Sequence, residues 1–176
     1  MKTALLIVDV QQGMIDEHPH DEKAFLERLK RLIGAARYGG VDVIYVQHEE
    51  GKGGALHEGE PGFLIPPIIA PQIGEMTFTK RYPNAFKETD LQKHLNARGI
   101  ERIVLAGMQT EYCIDATCKA AFELGYSIVI PQKGTSTYDN QYVDAENLIS
   151  FYENQIWSHN CARVVPLADA VDALER

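Results

Sequence analysis

The strongest constraint on the fold comes from the apolar runs that recur along the chain. Residues 4–8 are apolar without interruption, whereas a strand with one face in water would alternate apolar and polar residues. This run therefore predicts a strand that is covered on both faces. Apolar residues recur at helical spacing over 22–37, and a second apolar run covers 41–46. A strand, a helix and a strand in this order predict a parallel βαβ unit.

The remainder of the chain continues the alternation. Further strands are predicted at 76–79, 103–106, 126–130 and 163–166. Further helices are predicted from a cap at 89–90 to about 98, and at 113–124, 143–156 and 167–174. This pattern predicts an open α/β fold with helices on both faces of a parallel sheet. The length of 176 residues fits a single domain that spans residues 1–176.

The composition argues against several partners and compartments. A formal net charge of −8 and a pI near 5.2 do not fit a surface that binds nucleic-acid phosphates. No apolar run approaches the roughly 20 residues that cross a bilayer. The apolar run of MKTALLIVDV ends at Asp9 without the cleavage site of a signal peptide. Three cysteines without metal-site spacing are typical of a reducing cytoplasm, where we expect the protein to be located.

Three reactive side chains follow predicted strands. Asp9 ends the first strand, Lys80 ends the third, and Cys113 follows the fourth across a short turn. Ligands of open parallel sheets bind beyond the carboxyl ends of the strands, so these residues are predicted to meet at one site. Cys113 also stands at a predicted helix start, where the helix dipole favours a thiolate.

Each of these residues also has a structural interpretation. Asp9 could cap the following turn, Lys80 could be a solvated cation, and Cys113 could be a small buried side chain. Cys118 lies five residues further along the same helix and therefore points about 140° away from Cys113. We expect Cys118 to belong to the core, and Cys161 shows no partner, so neither is predicted to be catalytic.

Residues 47–73 lack a periodic pattern and are rich in glycine and proline. An irregular segment of this length inside a compact domain is usually functional. We interpret it as a wall of the substrate pocket or a contact surface, the alternative being a mobile loop.

Three short motifs together resemble a known family. The segments LLIVDVQ with Asp9, FTKRYPNAF with Lys80 and AGMQTEYC with Cys113 resemble the isochorismatase-like cysteine hydrolase superfamily. This superfamily includes nicotinamidases, N-carbamoylsarcosine amidohydrolases and streptothricin hydrolases. The resemblance extends from Thr3 to about Asp139, and it implies a three-layer α/β/α fold around a doubly wound sheet of about six strands.

The resemblance also implies a site and a reaction. Asp9, Lys80 and Cys113 would form a catalytic triad, and the Met108–Gln109 peptide would be cis. The backbone N–H groups of Gln109 and Cys113 would then form an oxyanion hole. The implied reaction is hydrolysis of an amide or lactam C–N bond in a small molecule through a thioester intermediate. Hydrolysis of an enol ether, and a noncatalytic ligand-binding or redox-responsive role, remain alternatives.

The chain departs from the nicotinamidases in one motif. Those proteins carry an Asp-x-His metal motif after the second strand, where this sequence has His48 and Glu50. His48, Glu50 and His57 could still be arranged as a metal set, but a glycine-rich loop supplies no defined geometry for one. We therefore expect no metal and no other cofactor. The segments VQHEE and GMQTEYCIDAT are most similar to the metal-free branch that contains streptothricin hydrolase.

Further polar and aromatic residues are candidates for contact with a small-molecule substrate. They are Gln11, His48, Tyr82, Phe86 and Tyr112. The alternatives are that Phe86 belongs to the core and that Tyr112 covers a subunit contact. The resemblance implies a homo-oligomer, and a homodimer is our expectation because two-fold assemblies are the commonest.

Overall fold

A parallel sheet of seven strands forms the centre of the computed structural model, which describes all of residues 1–176. The strands are β1 Thr3–Val8, β2 Asp42–His48, β3 Met76–Lys80, β4 Arg102–Met108, β5 Ser127–Pro131, β6 Thr135–Ser136 and β7 Arg163–Val165. Their order is β3-β2-β1-β4-β5-β7, and β6 pairs with the end of β4. The predicted α/β fold is confirmed. β6 was not predicted because two residues are too few to show a periodic pattern.

The structure has seven α-helices besides this sheet. They are α1 Gln12–Ile15, α2 Glu22–Tyr38, α3 Leu91–Ala97, α4 Asp115–Glu123, α5 Ala145–Phe151, α6 Ser158–Asn160 and α7 Leu167–Glu175. Helices α2 and α7 cover one face, while α3 and α4 cover the other. None of the helices has the length and apolar character needed to span a membrane.

Two helices begin or end at other residues than the sequence predicts. The helix predicted to begin at Cys113 is preceded by a π-helical turn, Thr110–Ile114, which contains the cysteine. The helix predicted over 143–156 is α-helical only to Phe151 and continues as a second π-helical turn, Tyr152–Trp157. A single π-helical turn is too short for an apolar pattern to distinguish it from α-helix.

The apolar run of β1 explains the two-faced core. Leu5 and Ile7 belong to the cluster beneath α2 and α7, whereas Leu6 and Val8 belong to the cluster beneath α3 and α4. Successive side chains of a strand point to opposite faces, so a strand buried on both faces must be apolar throughout. This burial is what fixes the end of β1, and with it Asp9, inside the molecule.

Cys118 and Cys161 lie together in the second cluster. Cys118 is buried on α4, as predicted, and its Sγ is 3.3 Å from the Sγ of Cys161. The expectation that Cys161 has no partner was therefore wrong. The two residues are 43 positions apart, and no sequence pattern indicates that the chain brings them together.

Gly107 allows β4 to approach β1 closely just before the predicted site. Its φ is +131°, and a Cβ at this position would overlap the backbone oxygen and nitrogen of Val8. We expect Gly107→Ala to lower the free energy of unfolding by roughly 3 kcal/mol or more, through backbone strain and overpacking. Urea denaturation measures this loss.

Gly34 provides a matched control for this substitution. It lies within α2, and a Cβ there would contact nothing within 4 Å. Gly34→Ala should stabilise the protein by about 0.5–1 kcal/mol, because alanine loses less backbone entropy in a helix. Equal effects of the two substitutions would contradict the close approach at Gly107.

Candidate active site

Asp9, Lys80 and Cys113 meet at the carboxyl edge of the sheet. The Nζ of Lys80 is 2.6 Å from Oδ2 of Asp9 and 3.2 Å from Sγ of Cys113. Asp9 follows β1, Lys80 ends β3 and Cys113 follows β4. The three side chains come from segments far apart in sequence, and the parallel topology brings them to one point.

The backbone at Asp9 turns sharply as it leaves the sheet. Asp9 has a φ of 54°, in the left-handed region that Asp and Asn tolerate better than most residues. Its N–H donates to the backbone oxygen of Val46 at 2.8 Å, and the residue is 1% exposed. The carboxylate is therefore held in a dry environment beside Lys80.

Lys80 is fully buried, and its ammonium group has three partners. Besides Asp9 and Cys113, its Nζ lies 3.0 Å from Nδ1 of His48. The pairing of β2 with β3 places His48 directly beside Lys80. Since an ammonium carries three protons and accepts none, these three contacts satisfy it completely.

The turn after β4 contains Cys113 and the backbone N–H of Gln109, which has no hydrogen-bond acceptor in the protein. The N–H groups of Tyr112 and Ile114 both donate to the carbonyl oxygen of Gln109, at 3.2 Å each. The N–H of Gln109 makes no hydrogen bond within the protein. The peptide bond between Met108 and Gln109 is cis, as the family resemblance implied. Gln109 therefore offers an N–H group to an external oxygen, next to the turn that carries Cys113.

Burial controls the protonation of the cysteine. It raises the pKa of the Cys113 thiol to about 12, the Asp9 carboxylate acts in the same direction, and Lys80 opposes both. Desolvation therefore disfavours the thiolate, so a neighbouring base is needed to take the proton. Cys113 lies inside the π-helical turn Thr110–Ile114, whereas the sequence predicted it at the start of the helix.

Asp9 is the base in reach of that proton. Its Oδ1 is buried without a hydrogen-bond partner, and one carboxylate oxygen lies within 4.8 Å of the Cys113 sulfur. Burial raises the pKa of Asp9, while the charge of Lys80 and the contact with Cys113 lower it. A carboxylate with a raised pKa in contact with a thiol is suited to general-base chemistry.

Gln11 holds the end of β2 in place. Its Oε1 accepts from the N–H of His48 at 2.7 Å, and its Nε2 donates to the oxygens of His48 and Phe63 at 3.1 and 3.2 Å. Gln11 is fully buried, and both of its amide protons are used by the backbone. The structure gives Gln11 a positioning role in place of the predicted contact with substrate.

The predicted aromatic contacts lie in three different environments. Phe86 is partly buried, packs against the second core cluster and stacks on Tyr126 at a ring distance of 6.0 Å, and its predicted place in the pocket wall stays a prediction. Tyr82 is half-buried, with the Nζ of Lys87 at 3.8 Å from its ring centre. Tyr112 is 59% exposed. Substrate contact by Tyr82 and Tyr112 stays a prediction.

The metal set considered for the 47–73 segment does not come together. His57 faces Glu49, with Nδ1 and Oε1 2.7 Å apart. The carboxylate of Glu50 accepts from the N–H of Leu56 at 3.2 Å. His48 points instead towards the sheet edge, so the three residues share no ligand-binding point.

Asp9, His48 and Cys113 form a different group, with one ligand atom from each within 4.8 Å of the others. The ammonium of Lys80 contacts all three side chains. A divalent cation would have to sit against this fixed positive charge. The donor set therefore does not fit a metal centre, and Lys80 supplies the positive charge of the site.

Glu49 organises the loop beside the site. The contact with His57, together with the N–H groups of Glu58 and Gly51, lowers the pKa of the Glu49 carboxyl to about 2. The carboxylate thus closes residues 49–58 into a defined loop next to His48. In the sequence, Glu49 is recognisable only as a glutamate that follows a strand directly and precedes a glycine-rich segment.

Two long-range hydrogen bonds hold the helical segment that begins with the cysteine turn. The Nε1 of Trp157 donates to Oδ1 of Asp115 at 3.0 Å, and the hydroxyls of Thr110 and Thr135 are 2.8 Å apart. The pairs are 42 and 25 residues apart in sequence. No local pattern indicates such contacts, so sequence reasoning could not find them.

Comparison with known proteins identifies relatives of the whole fold. A family model described as the isochorismatase domain matches residues 3–154. The chain is 30% identical over 138 residues to streptothricin hydrolase from Streptomyces noursei, covering 77% of this chain and 50% of that protein. It is 30% identical over 148 residues to maleamate amidohydrolase from Pseudomonas putida, covering 73% and 70%. The solved structure of an isochorismatase from Pseudomonas putida KT2440 matches with a TM-score of 0.90 at 26% identity, covering 96% and 89%.

Proposed function

The chain belongs to the isochorismatase family of hydrolases, and on that premise we propose that it is a cysteine hydrolase. Its reaction is the cleavage of an amide or lactam C–N bond in a small molecule. The observation that carries this proposal is the contact of one buried ammonium, Lys80, with both the Asp9 carboxylate and the Cys113 thiol. A thiol, a base and a fixed positive charge are the parts that nucleophilic acyl transfer requires.

In the first half-reaction the thiol becomes an acyl carrier. Asp9 removes the proton of Cys113, and the sulfur attacks the carbonyl carbon of the substrate. Lys80 stabilises the negative charge on the carboxylate and on the developing thiolate. The backbone N–H groups of Gln109 and Cys113 stabilise the oxyanion of the tetrahedral intermediate. Asp9 gives the former thiol proton to the leaving nitrogen as the C–N bond breaks, and ammonia or an amine leaves.

In the second half-reaction water releases the acyl group. A water molecule gives a proton to Asp9 as it attacks the thioester carbonyl, the C–S bond breaks, and Asp9 passes that proton to the Cys113 sulfur. The same backbone N–H groups stabilise the second oxyanion. The products are a carboxylic acid and the original thiol.

The choice of a C–N bond is supported by the relatives. Streptothricin hydrolase and maleamate amidohydrolase are each 30% identical to this chain. The chain spans half the length of streptothricin hydrolase, so the substrate of that protein is not transferred to this one. The proposal therefore names a bond type and a small substrate.

The proposal is tested with an activated probe that requires no knowledge of the natural substrate. Mixing the protein with p-nitrophenyl acetate should release a burst of p-nitrophenol equal to the enzyme concentration, because acylation of Cys113 precedes hydrolysis of the thioester. Mass spectrometry of the quenched protein should locate one acetyl group on the peptide that contains Cys113. A panel of primary amides and lactams then identifies the acyl group.

Cys118 and Cys161 serve as internal controls, since both are buried thiols outside the site. Acetylation that is absent from Cys113, or that is spread over all three cysteines and surface lysines, would overturn the proposed thioester mechanism.

A further inference from the structure

The thiols of Cys118 and Cys161 form a pair that the proposed hydrolysis does not use. Their sulfur atoms are 3.3 Å apart, although 43 positions separate the two residues in sequence. Both residues are buried, in the core cluster beneath α3 and α4. A disulfide has an S–S distance of about 2.05 Å, so the sulfurs need to approach by only ~1.2 Å. The fold thus holds two free thiols within reach of a covalent bond.

One of the two residues borders a surface cavity. This cavity of about 460 Å³ lies between α4, β5 and α6. Cys161 lines it, whereas Cys118 does not, and the exposed fractions of the two residues are 6% and 0%. Ser158, Asn160 and Arg163 supply polar groups to the same wall. A small polar oxidant that enters the cavity therefore meets the sulfur of Cys161 before that of Cys118.

The contact between the thiols also makes their acidities unequal. Donation from the S–H of Cys118 lowers the pKa of the Cys161 thiol, although burial opposes this shift. The same contact and burial raise the pKa of Cys118. The thiolate is the form that attacks a peroxide, so Cys161 is the more reactive of the two. Cys113 differs from both, because its pKa is raised to about 12 and its sulfur contacts Lys80.

We propose that Cys118 and Cys161 are a reversible oxidation site, at which a hydroperoxide converts the two thiols into a disulfide within one chain. Cys161 is the sulfur that the peroxide oxidises, and Cys118 is the resolving thiol. An accessible cysteine beside a resolving cysteine is the arrangement that redox-responsive proteins use. This inference is independent of the proposed hydrolase function, since neither sulfur takes part in the acyl transfer.

The oxidation proceeds in two balanced steps. The thiolate of Cys161 attacks one oxygen of hydrogen peroxide, the S–O bond forms, the O–O bond breaks, and the released hydroxide takes up the former thiol proton as water. The sulfur of Cys118 then attacks the sulfenic acid, the S–S bond forms, the S–O bond breaks, and the hydroxide leaves with the Cys118 proton as a second water. The two thiols lose two electrons and two protons, and one peroxide is reduced to two waters.

The disulfide would tie α4 to the turn that precedes β7. Helix α4 begins at Asp115, directly after the turn that contains Cys113. A bond between residues 43 positions apart closes a long loop and restricts the unfolded chain. We therefore expect the oxidised protein to have a Tm about 5–10 °C above that of the reduced protein.

Treatment of the full chain with hydrogen peroxide tests the site directly. Digestion with endoproteinase Asp-N cleaves before Asp115 and so places Cys113 and Cys118 in different peptides. Non-reducing mass spectrometry should find the Cys118 peptide joined to the Cys161 peptide with two hydrogen atoms lost, and dithiothreitol should separate them. Cys113 should remain a free thiol that is alkylated after denaturation.

Three results of this experiment would overturn the proposal. They are the absence of a linkage, a linkage that involves Cys113, and a linkage found only between two chains. Non-reducing gel electrophoresis of the oxidised protein identifies the last of these, because a disulfide within one chain leaves the protein at the size of the monomer. The wild-type chain is sufficient for this decision, so it does not depend on the stability of any variant.

Trp157 gives a second readout that needs no digestion. It is the one tryptophan of the chain, it is buried, and its carbonyl oxygen accepts from the N–H of Cys161 at 3.1 Å. A disulfide quenches the fluorescence of a neighbouring indole, so peroxide should lower the Trp157 emission and dithiothreitol should restore it. Cys161→Ala is the control, and peroxide should change neither its emission nor its Tm.

Two variants test which sulfur is oxidised first. In Cys118→Ala, Cys161 has no resolving thiol, so dimedone should trap its sulfenic acid after peroxide treatment. In Cys161→Ala, Cys118 should take up no dimedone. Labelling of Cys118 in the second variant, with no labelling of Cys161 in the first, would overturn the assigned order. None of these results depends on acetylation of Cys113, so the oxidation site and the proposed hydrolase function are tested separately.

Discussion

Replacing Cys113 with alanine is expected to abolish turnover and to leave the fold intact. The sulfur is the only group at the site that can carry the acyl intermediate, so kcat for an amide substrate or for p-nitrophenyl acetate should fall on the order of 10⁴-fold or more. Cys113 lies at the sheet edge in a partly buried turn, and loss of one sulfur there removes little packing. Steady-state kinetics and urea denaturation of the same samples measure the two effects.

Cys161→Ala is the matched control for this prediction. It makes the same chemical change at a thiol whose neighbour is Cys118, 3.3 Å away, and it should keep wild-type turnover. If Cys113→Ala retained activity, the thioester scheme would be wrong. The enol-ether alternative would then be favoured, because hydrolysis of an enol ether need not use the thiol.

The location of the triad could be predicted because it depends on strand ends. Asp9, Lys80 and Cys113 each follow an apolar run, and a parallel sheet brings the carboxyl ends of its strands to one edge. The sheet itself is readable from the continuous apolar pattern of β1, since both of its faces are buried. These features are local in sequence, and the topology rules for parallel strands supply the rest.

The contacts that complete the site could not be predicted in this way. The strand predicted at 41–46 continues to His48, because Gln47 and His48 pair with the end of β3. These two residues are polar, so the apolar pattern in the sequence does not include them. Phe86 stacks on Tyr126, which lies 40 residues further along the chain. The protonation of Cys113 depends on burial, which a sequence motif does not report.

Replacing Lys80 with methionine is expected to remove both activity and much of the stability. The Nζ of Lys80 forms a fully buried ion pair with Asp9 at 2.6 Å. Removing the cation leaves the Asp9 carboxylate buried without a counter-charge, which typically costs about 3–5 kcal/mol of unfolding free energy. Urea denaturation and the acetate ester assay measure the two losses.

The double variant Asp9→Asn with Lys80→Met separates charge from packing. It removes both members of the ion pair and leaves no uncompensated charge, so most of the lost stability should return. Activity should remain absent, because the base and the cation are both missing. If the double variant were as unstable as the sum of the two single variants, packing around Lys80 would be the main contribution and the electrostatic account would fail.

The instability of Lys80→Met should also depend on pH in a defined direction. Burial already raises the pKa of Asp9 while Lys80 opposes the shift, so removing Lys80 raises that pKa further. A carboxyl group whose pKa is higher in the folded than in the unfolded protein stabilises the fold below the unfolded value, near about 3.9, and this contribution is lost as pH rises through the folded value. Relative to wild type, Lys80→Met should therefore become more stable as pH falls from neutral towards about 4. The double variant has no carboxyl group at position 9 and should lack this trend, which assigns the pH dependence to Asp9.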